Sequence, residues 1–131
     1  MVTNQSGIAR GIVTLENLDE IHRRIRAAFA EQGIEFRAIY YAPYAVDSNH
    51  PLRKPAPGML LKGAEECEAD LKSSWMIGDR LSDVVAGPRA GCRSILLTGV
   101  EEPDPSAAAE SQPEFIVDTL TQAVDKILTV S

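Results

Sequence analysis

Nine residues, Trp75-Met76-Ile77-Gly78-Asp79-Arg80-Leu81-Ser82-Asp83, leave this chain few folds to choose from. An apolar run from Trp75 to Ile77 stops at Gly-Asp, and Leu81, Val84 and Val85 at once begin a helical pattern. A buried strand, a tight turn and a helix in that order form the building unit of an open parallel sheet. Ligands of such sheets sit at the carboxyl ends of the strands, so Asp79 stands where chemistry occurs and Asp83 one helical turn further on. Two carboxylates there suit a hard cation such as magnesium, which takes carboxylate oxygens and keeps several waters. A strand-ending Asp serves equally well as a helix N-cap, and this stretch alone leaves both readings open.

The rest of the chain repeats the alternation. Met1-Val2 runs into the polar turn Thr3-Asn4-Gln5-Ser6-Gly7 and reads as the last residues of a strand. Thr14 is an N-cap candidate for a helix whose apolar residues Leu18, Ile21, Ile25, Ala28 and Phe29 recur at helical spacing up to Gly33. Phe36 to Tyr41 reads as a short buried strand. A loop rich in proline and polar residues follows from Ala42 to Pro57 and carries Arg53-Lys54-Pro55. Pro57 opens a further helix with Met59, Leu60, Ala64 and Cys67 facing inward. The helix from Leu81 to about Ala90 contains Gly87-Pro88, where a missing donor should bend or restart it. Ser94 to Leu97 and Phe115 to Val117 read as strands, and Leu120 to Leu128 as a closing amphipathic helix. Between the last two strands, Val100 to Pro113 reads as a mobile loop with a short helical turn at Ala107 to Ala109. Strands alternating with helices predict parallel βαβ units in a doubly wound α/β sheet, and 131 residues suit one domain.

Composition narrows the partners. A net charge of -6 argues against nucleic acid, while leaving room for a local basic pocket that takes a phosphorylated small molecule. No apolar run is long enough to span a bilayer, and the first residues carry no signal-peptide pattern, so a cytoplasmic protein with no membrane partner is expected. Cys67 and Cys92 fall in unrelated patterns and read as buried thiols. His22 is placed on the polar side of its helix and His50 in a loop, both as ordinary histidines.

Three polar clusters follow consecutive apolar elements: Thr3-Asn4, Arg53-Lys54, and Asp79 with Asp83. In a parallel sheet these ends face one way, so a hydroxyl, a cation pair and a carboxylate converge as a phosphate site would require. Taken singly they are ordinary: Lys54 suits a solvated surface, and Thr3 or Ser6 suits a turn.

Together they are recognisable. Val2-Thr3-Asn4-Gln5-Ser6-Gly7-Ile8-Ala9-Arg10-Gly11, then Arg53-Lys54-Pro55 with Pro57-Gly58-Met59-Leu60, then Gly78-Asp79-Arg80-Leu81-Ser82-Asp83 closely resemble the haloacid dehalogenase-like (HAD) phosphatases. Within them the likeness is to the histidinol-phosphate and D-glycero-D-manno-heptose 1,7-bisphosphate phosphatases, and it runs from Val2 to about Gly99. The resemblance implies a magnesium-dependent phosphomonoesterase of a small sugar phosphate. Thr3 would then hold the transferring phosphoryl group, and Asn4, Gln5 and Ser6 would line the substrate turn. Arg53 would recognise substrate, Lys54 would neutralise phosphoryl charge, and Asp79 would ligate magnesium beside Arg80. Three roles stay open for Asp83: a metal ligand through water, a partner for Lys54, or a charge that favours the start of its helix.

The chain departs from that family in two places. Its members open with a strand ending in Asp-x-Asp, which supplies the nucleophile and the general acid and base. No Asp-x-Asp occurs in these 131 residues, so the chain is expected to be an HAD-type domain without its first, central strand and inactive alone. Two half-sheets should then face each other across an apolar gap, inviting a partner strand or a second copy. A non-catalytic phosphate-binding or interaction module is the alternative. Secondly, related heptose phosphatases bind zinc through the loop after Tyr41, whereas here Ala42, Tyr44, His50 and Leu52 stand at the aligned positions. One imidazole does not make a tetrahedral site, and no zinc is expected.

Overall fold

A computed structural model of the chain describes residues 1–98 and 110–130. The expected helical turn at Ala107 to Ala109 lies outside them. The element order is β1 (Val2–Asn4), α1 (Ser6–Ala9), α2 (Leu15–Ala30), β2 (Tyr40–Ala42), α3 (Gly58–Cys67), β3 (Trp75–Gly78), α4 (Leu81–Ala90), β4 (Arg93–Leu97), β5 (Phe115–Val117) and α5 (Leu120–Val130). A 3-10 turn at Leu71–Ser73 precedes β3. Every strand pairing is parallel, and the strands form two sheets, β1-β2 and β3-β4-β5. The α/β class and parallel sheet follow the sequence reading.

The three-stranded sheet carries the main core. Ile95 of β4, Val117 of β5 and Ala123 of α5 are buried together, with Trp75, Ile77, Leu97, Phe115 and Ile127 packed around them. α4 covers the same sheet with Val84, Val85 and Ala86, all buried. Gly87 lies where a Cβ would stand 2.6 Å from Met76 Cβ, so α4 meets β3 at a distance that a side chain would forbid. Helix α4 continues through Pro88 as a single element instead of restarting. The carbonyl that Pro88 leaves without its helical donor is that of Val84, and the buried Ser94 hydroxyl donates to it at 3.4 Å.

Phe36 to Ile39 is not strand; β2 is confined to Tyr40–Ala42, the residues that register with the three of β1. Phe36 instead packs edge-on against Phe29 of α2, with ring centroids 4.8 Å apart. His22 faces inward, not outward: its ring lies 6.0 Å from that of Tyr41, and its Nε2 is buried without a hydrogen-bond partner. Cys92 is a buried free thiol, pushed up in pKa by that burial, whereas Cys67 is only half-buried. Among the described residues no helix is long and apolar enough to cross a membrane.

The solvent face of α2 holds an arginine fork on Glu20, which accepts from Arg23 at 2.6 and 2.8 Å and from Arg24 at 3.0 Å. The bonds from Arg23 and then Arg24 hold the Glu20 carboxyl down to about 2, from an ordinary 4.5. Because the folded value lies below the unfolded one, what the fork contributes is whole above the ordinary value and is lost as pH falls through about 2. A carboxyl-carbon NMR titration should therefore place the Glu20 midpoint near 2; a midpoint near 4.5 would show the fork is not held in solution.

Candidate active site

The two sheets face each other across a slot. Met1 and Trp75, at the amino ends of β1 and β3, both line a cavity of about 210 Å³ together with Tyr40, Met59, Cys67 and Cys92. At the carboxyl ends, Thr3, Asn4, Gly78 and Asp79 line a second cavity of about 780 Å³. The two strands thus run the same way. The expected apolar gap is apolar at its floor and polar at its mouth, and the mouth is in the size range of small-ligand sites.

The facing edges can be read from the ladders. Tyr40 N donates to Met1 O at 2.9 Å and Gln5 N to Ala42 O at 2.8 Å, so odd-numbered residues of β1 turn their backbone groups to β2. Val2 and Asn4 therefore turn theirs to the slot. On β3, Arg93 N donates to Ser74 O at 3.2 Å, which leaves Trp75 and Ile77 facing the slot from the other side. Among the described residues neither edge has a strand partner there.

Lys54 crosses this slot. Its Nζ donates to Val2 O at 3.2 Å and lies 2.5 Å from Asp83 Oδ1. The two side chains are 9 % and 6 % exposed, so this is a buried ion pair and not a surface contact. Asp83 Oδ2 meanwhile accepts from Arg80 N at 3.2 Å, the capping interaction that starts α4. Of the three roles left open for Asp83, the structure shows the Lys54 partner and the helix cap, and both its oxygens are engaged. Gly78 makes room for this: a Cβ there would lie 2.2 Å from Asp83 Oδ2. Gly78→Ala should push Asp83 off Lys54 and cost about 1–3 kcal/mol in urea unfolding, as overpacking does; an unchanged midpoint would show that the carboxylate is free to move.

The remaining candidates group around the mouth. Thr3, Asn4, Ser6, Arg53, Lys54, Asp79, Arg80 and Asp83 all line it, while Gln5 does not. Gln5 instead donates from Nε2 to Thr3 Oγ1 at 3.1 Å, fixing the hydroxyl that sequence reasoning put against phosphate. Arg53 Nη1 is buried with no partner, a cost that an anion in the cavity would relieve. The loop carrying Arg53 and Lys54 is pinned from two sides, by Asn4 of β1 and by Arg89 of α4, whose Nη1 donates to Pro55 O at 3.3 Å. His50 stacks on Tyr44 with centroids 3.4 Å apart, and its Nδ1 accepts from Leu52 N, so it shapes the same loop.

Asp79 and Asp83 are the two carboxylates that line the mouth, and Asp79 is the one with no hydrogen bond to Lys54 Nζ or to the Arg80 amide. No group of three His, Cys, Asp or Glu gathers among the described residues. That donor set fits a magnesium ion, which is commonly held by one or two carboxylates plus substrate phosphate and water, and does not fit an all-protein cage.

Thr3, Lys54 and Asp79 thus meet at one cavity of a parallel α/β fold, and comparison with known proteins gives the family. Residues 51–123 match the HAD-hydrolase-like family, and the chain belongs to it. It is 36 % identical over 137 residues to the D-glycero-D-manno-heptose-1,7-bisphosphate 7-phosphatase of Chlorobaculum tepidum, spanning 95 % of this chain and 69 % of that protein. To the D-glycero-beta-D-manno-heptose-1,7-bisphosphate 7-phosphatase of Pseudomonas aeruginosa it is 41 % identical over 97 residues, 74 % of this chain and 54 % of that one. The chain thus spans about half the length of that relative. The D,D-heptose 1,7-bisphosphate phosphatase of B. bronchiseptica, solved with magnesium and phosphate, superposes with a TM-score of 0.83 at 31 % identity, covering 99 % of this chain and 73 % of that one.

Proposed function

We propose that these residues, as one domain, carry the phosphate cradle of a magnesium-dependent phosphomonoesterase acting on a small phosphorylated sugar in the cytoplasm, a heptose bisphosphate being the substrate its relatives suggest. The observation that carries the reading is the convergence of Thr3, Lys54 and Asp79 on one cavity at the carboxyl ends of β1 and β3. In phosphoryl transfer the protein mainly places the group and compensates charge on its equatorial oxygens. Thr3 Oγ1 accepts from Gln5 and donates at only 3.4 Å to Asn4 O, a long bond that a phosphoryl oxygen could replace, and Lys54 Nζ and the unpaired Nη1 of Arg53 offer positive charge. Asp79, beside Arg80, would hold magnesium, which when bound adds charge neutralisation and orients the phosphate.

What the cradle lacks is a nucleophile, since no carboxylate of the described residues lines the cavity other than Asp79 and Asp83. A strand seated between β1 and β3 would present one, meeting the backbone groups of Val2, Asn4, Trp75 and Ile77 on both sides. The test is to supply such a strand, apolar and ending in Asp-x-Asp, and assay phosphate release from a heptose bisphosphate with magnesium. Turnover that disappears with chelator and with Lys54→Gln supports the enzyme. A folded, filled protein that binds phosphate without turnover supports the non-catalytic module.

A further inference from the structure

Resemblance put Asn4 among the substrate contacts, yet both ends of its carboxamide are occupied by one residue fifty positions away. Nδ2 donates to Lys54 O at 3.0 Å, and Oδ1 accepts from Lys54 N at 3.0 Å. A side-chain amide facing a peptide in this way copies a strand pairing, but at the end of β1, where β2 has already used the other edge. Lys54 is thereby held twice by β1: its backbone by the Asn4 side chain and its ammonium by Val2 O. Asparagine alone sets a donor and an acceptor side by side at this reach. Aspartate loses the donor, glutamine overshoots by a methylene, and alanine offers neither.

We propose that Asn4 is a positioning residue for Lys54, its carboxamide latching the backbone of residue 54 so that the ammonium stands at the cavity. The consequence for function rests on the phosphate reading above. The latch itself does not.

Two measurements on the full chain test it, with circular dichroism confirming the fold of each variant. In the absence of phosphate, Asn4→Ala should speed amide exchange at Lys54 by about tenfold or more, the loss of roughly one net hydrogen bond. An unchanged exchange rate overturns the latch. Inorganic phosphate with magnesium is then titrated by calorimetry into the native chain, Asn4→Ala, Lys54→Gln and the double variant. Asn4→Ala should weaken binding about tenfold, and the double variant should bind no more weakly than Lys54→Gln alone, because Asn4 acts only through that lysine. Additive losses would make Asn4 an independent phosphate contact and overturn the proposal. If the native chain binds no phosphate, the phosphate reading fails while exchange at Lys54 still decides the latch. Should Asn4→Ala not fold, the near-isosteric Asn4→Asp serves: the Lys54 carbonyl-carbon resonance should shift on losing its donor, and an unmoved resonance overturns the latch.

Discussion

Replacing Lys54 by methionine should cost the folded chain about 3–5 kcal/mol, because it strands a buried carboxylate. Asp83 is 6 % exposed, and its Oδ1 has Lys54 Nζ at 2.5 Å. Without the ammonium, Asp83 must either stay charged in a site that solvates it poorly or be protonated, and both draw on stability. The double replacement Lys54→Met with Asp83→Leu should lose less than the single one, since no lone charge then remains buried. Urea unfolding of the three proteins measures this. A single-variant loss below about 1 kcal/mol would show the pair to be screened like a surface bridge. The same lysine would then be a poor candidate for a fixed phosphate ligand.

Filling the slot should have the second large effect. A parallel strand cannot join β1 by a hairpin, so a strand placed ahead of Met1 needs a crossover of about a dozen residues or more. Once seated, it would pair with Val2 and Asn4 on one side and Trp75 and Ile77 on the other, and would bury apolar side chains over the floor lined by Met59, Cys67 and Cys92. An added strand of this kind should raise the unfolding midpoint by about 10 °C or more, given that each kcal/mol moves a domain of this size by a few degrees. Self-association through the bare edges should fall at the same time, as unpaired edges template pairing with other chains. Light scattering and calorimetry read both. An unchanged midpoint would mean that the slot does not take a strand. Val2 O would have to pass from Lys54 Nζ to a strand N–H on seating, which frees the ammonium for the cavity.

The parts legible in the sequence were those fixed by neighbours along the chain. The Trp75–Gly78 strand, its turn and the Leu81 helix follow from the abrupt change of hydrophobic period at Gly78, and the Thr14 cap from a hydroxyl three residues ahead of the Asn17 amide it accepts from. The convergence of Thr3, Lys54 and Asp79 was legible too, because parallel strands put their carboxyl ends together. What was not legible was set by partners distant in sequence. Phe36 to Ile39 includes strand-forming residues, but a strand exists only where another lies beside it, and β1 offers three positions. The proline in α4 looked like a break because the Ser94 hydroxyl that serves the Val84 carbonyl lies on the next strand. The double hydrogen bond of Asn4 to the Lys54 backbone was not legible, because nothing in Thr3-Asn4-Gln5 announces a partner fifty residues on. That Asp83 pairs with Lys54 and also caps α4 was not legible, because its two oxygens meet partners on different segments, Lys54 and the Arg80 amide.

One anion site between β1 and β3 underlies every role assigned above, and a crystal of this chain soaked with tungstate, a heavy analogue of phosphate, would reveal it in a single map. One dominant anomalous peak is expected in the mouth of the slot, within hydrogen-bond reach of Thr3 Oγ1 and Lys54 Nζ and facing Asp79. A peak elsewhere on the surface, or an empty mouth at saturating tungstate, would contradict it.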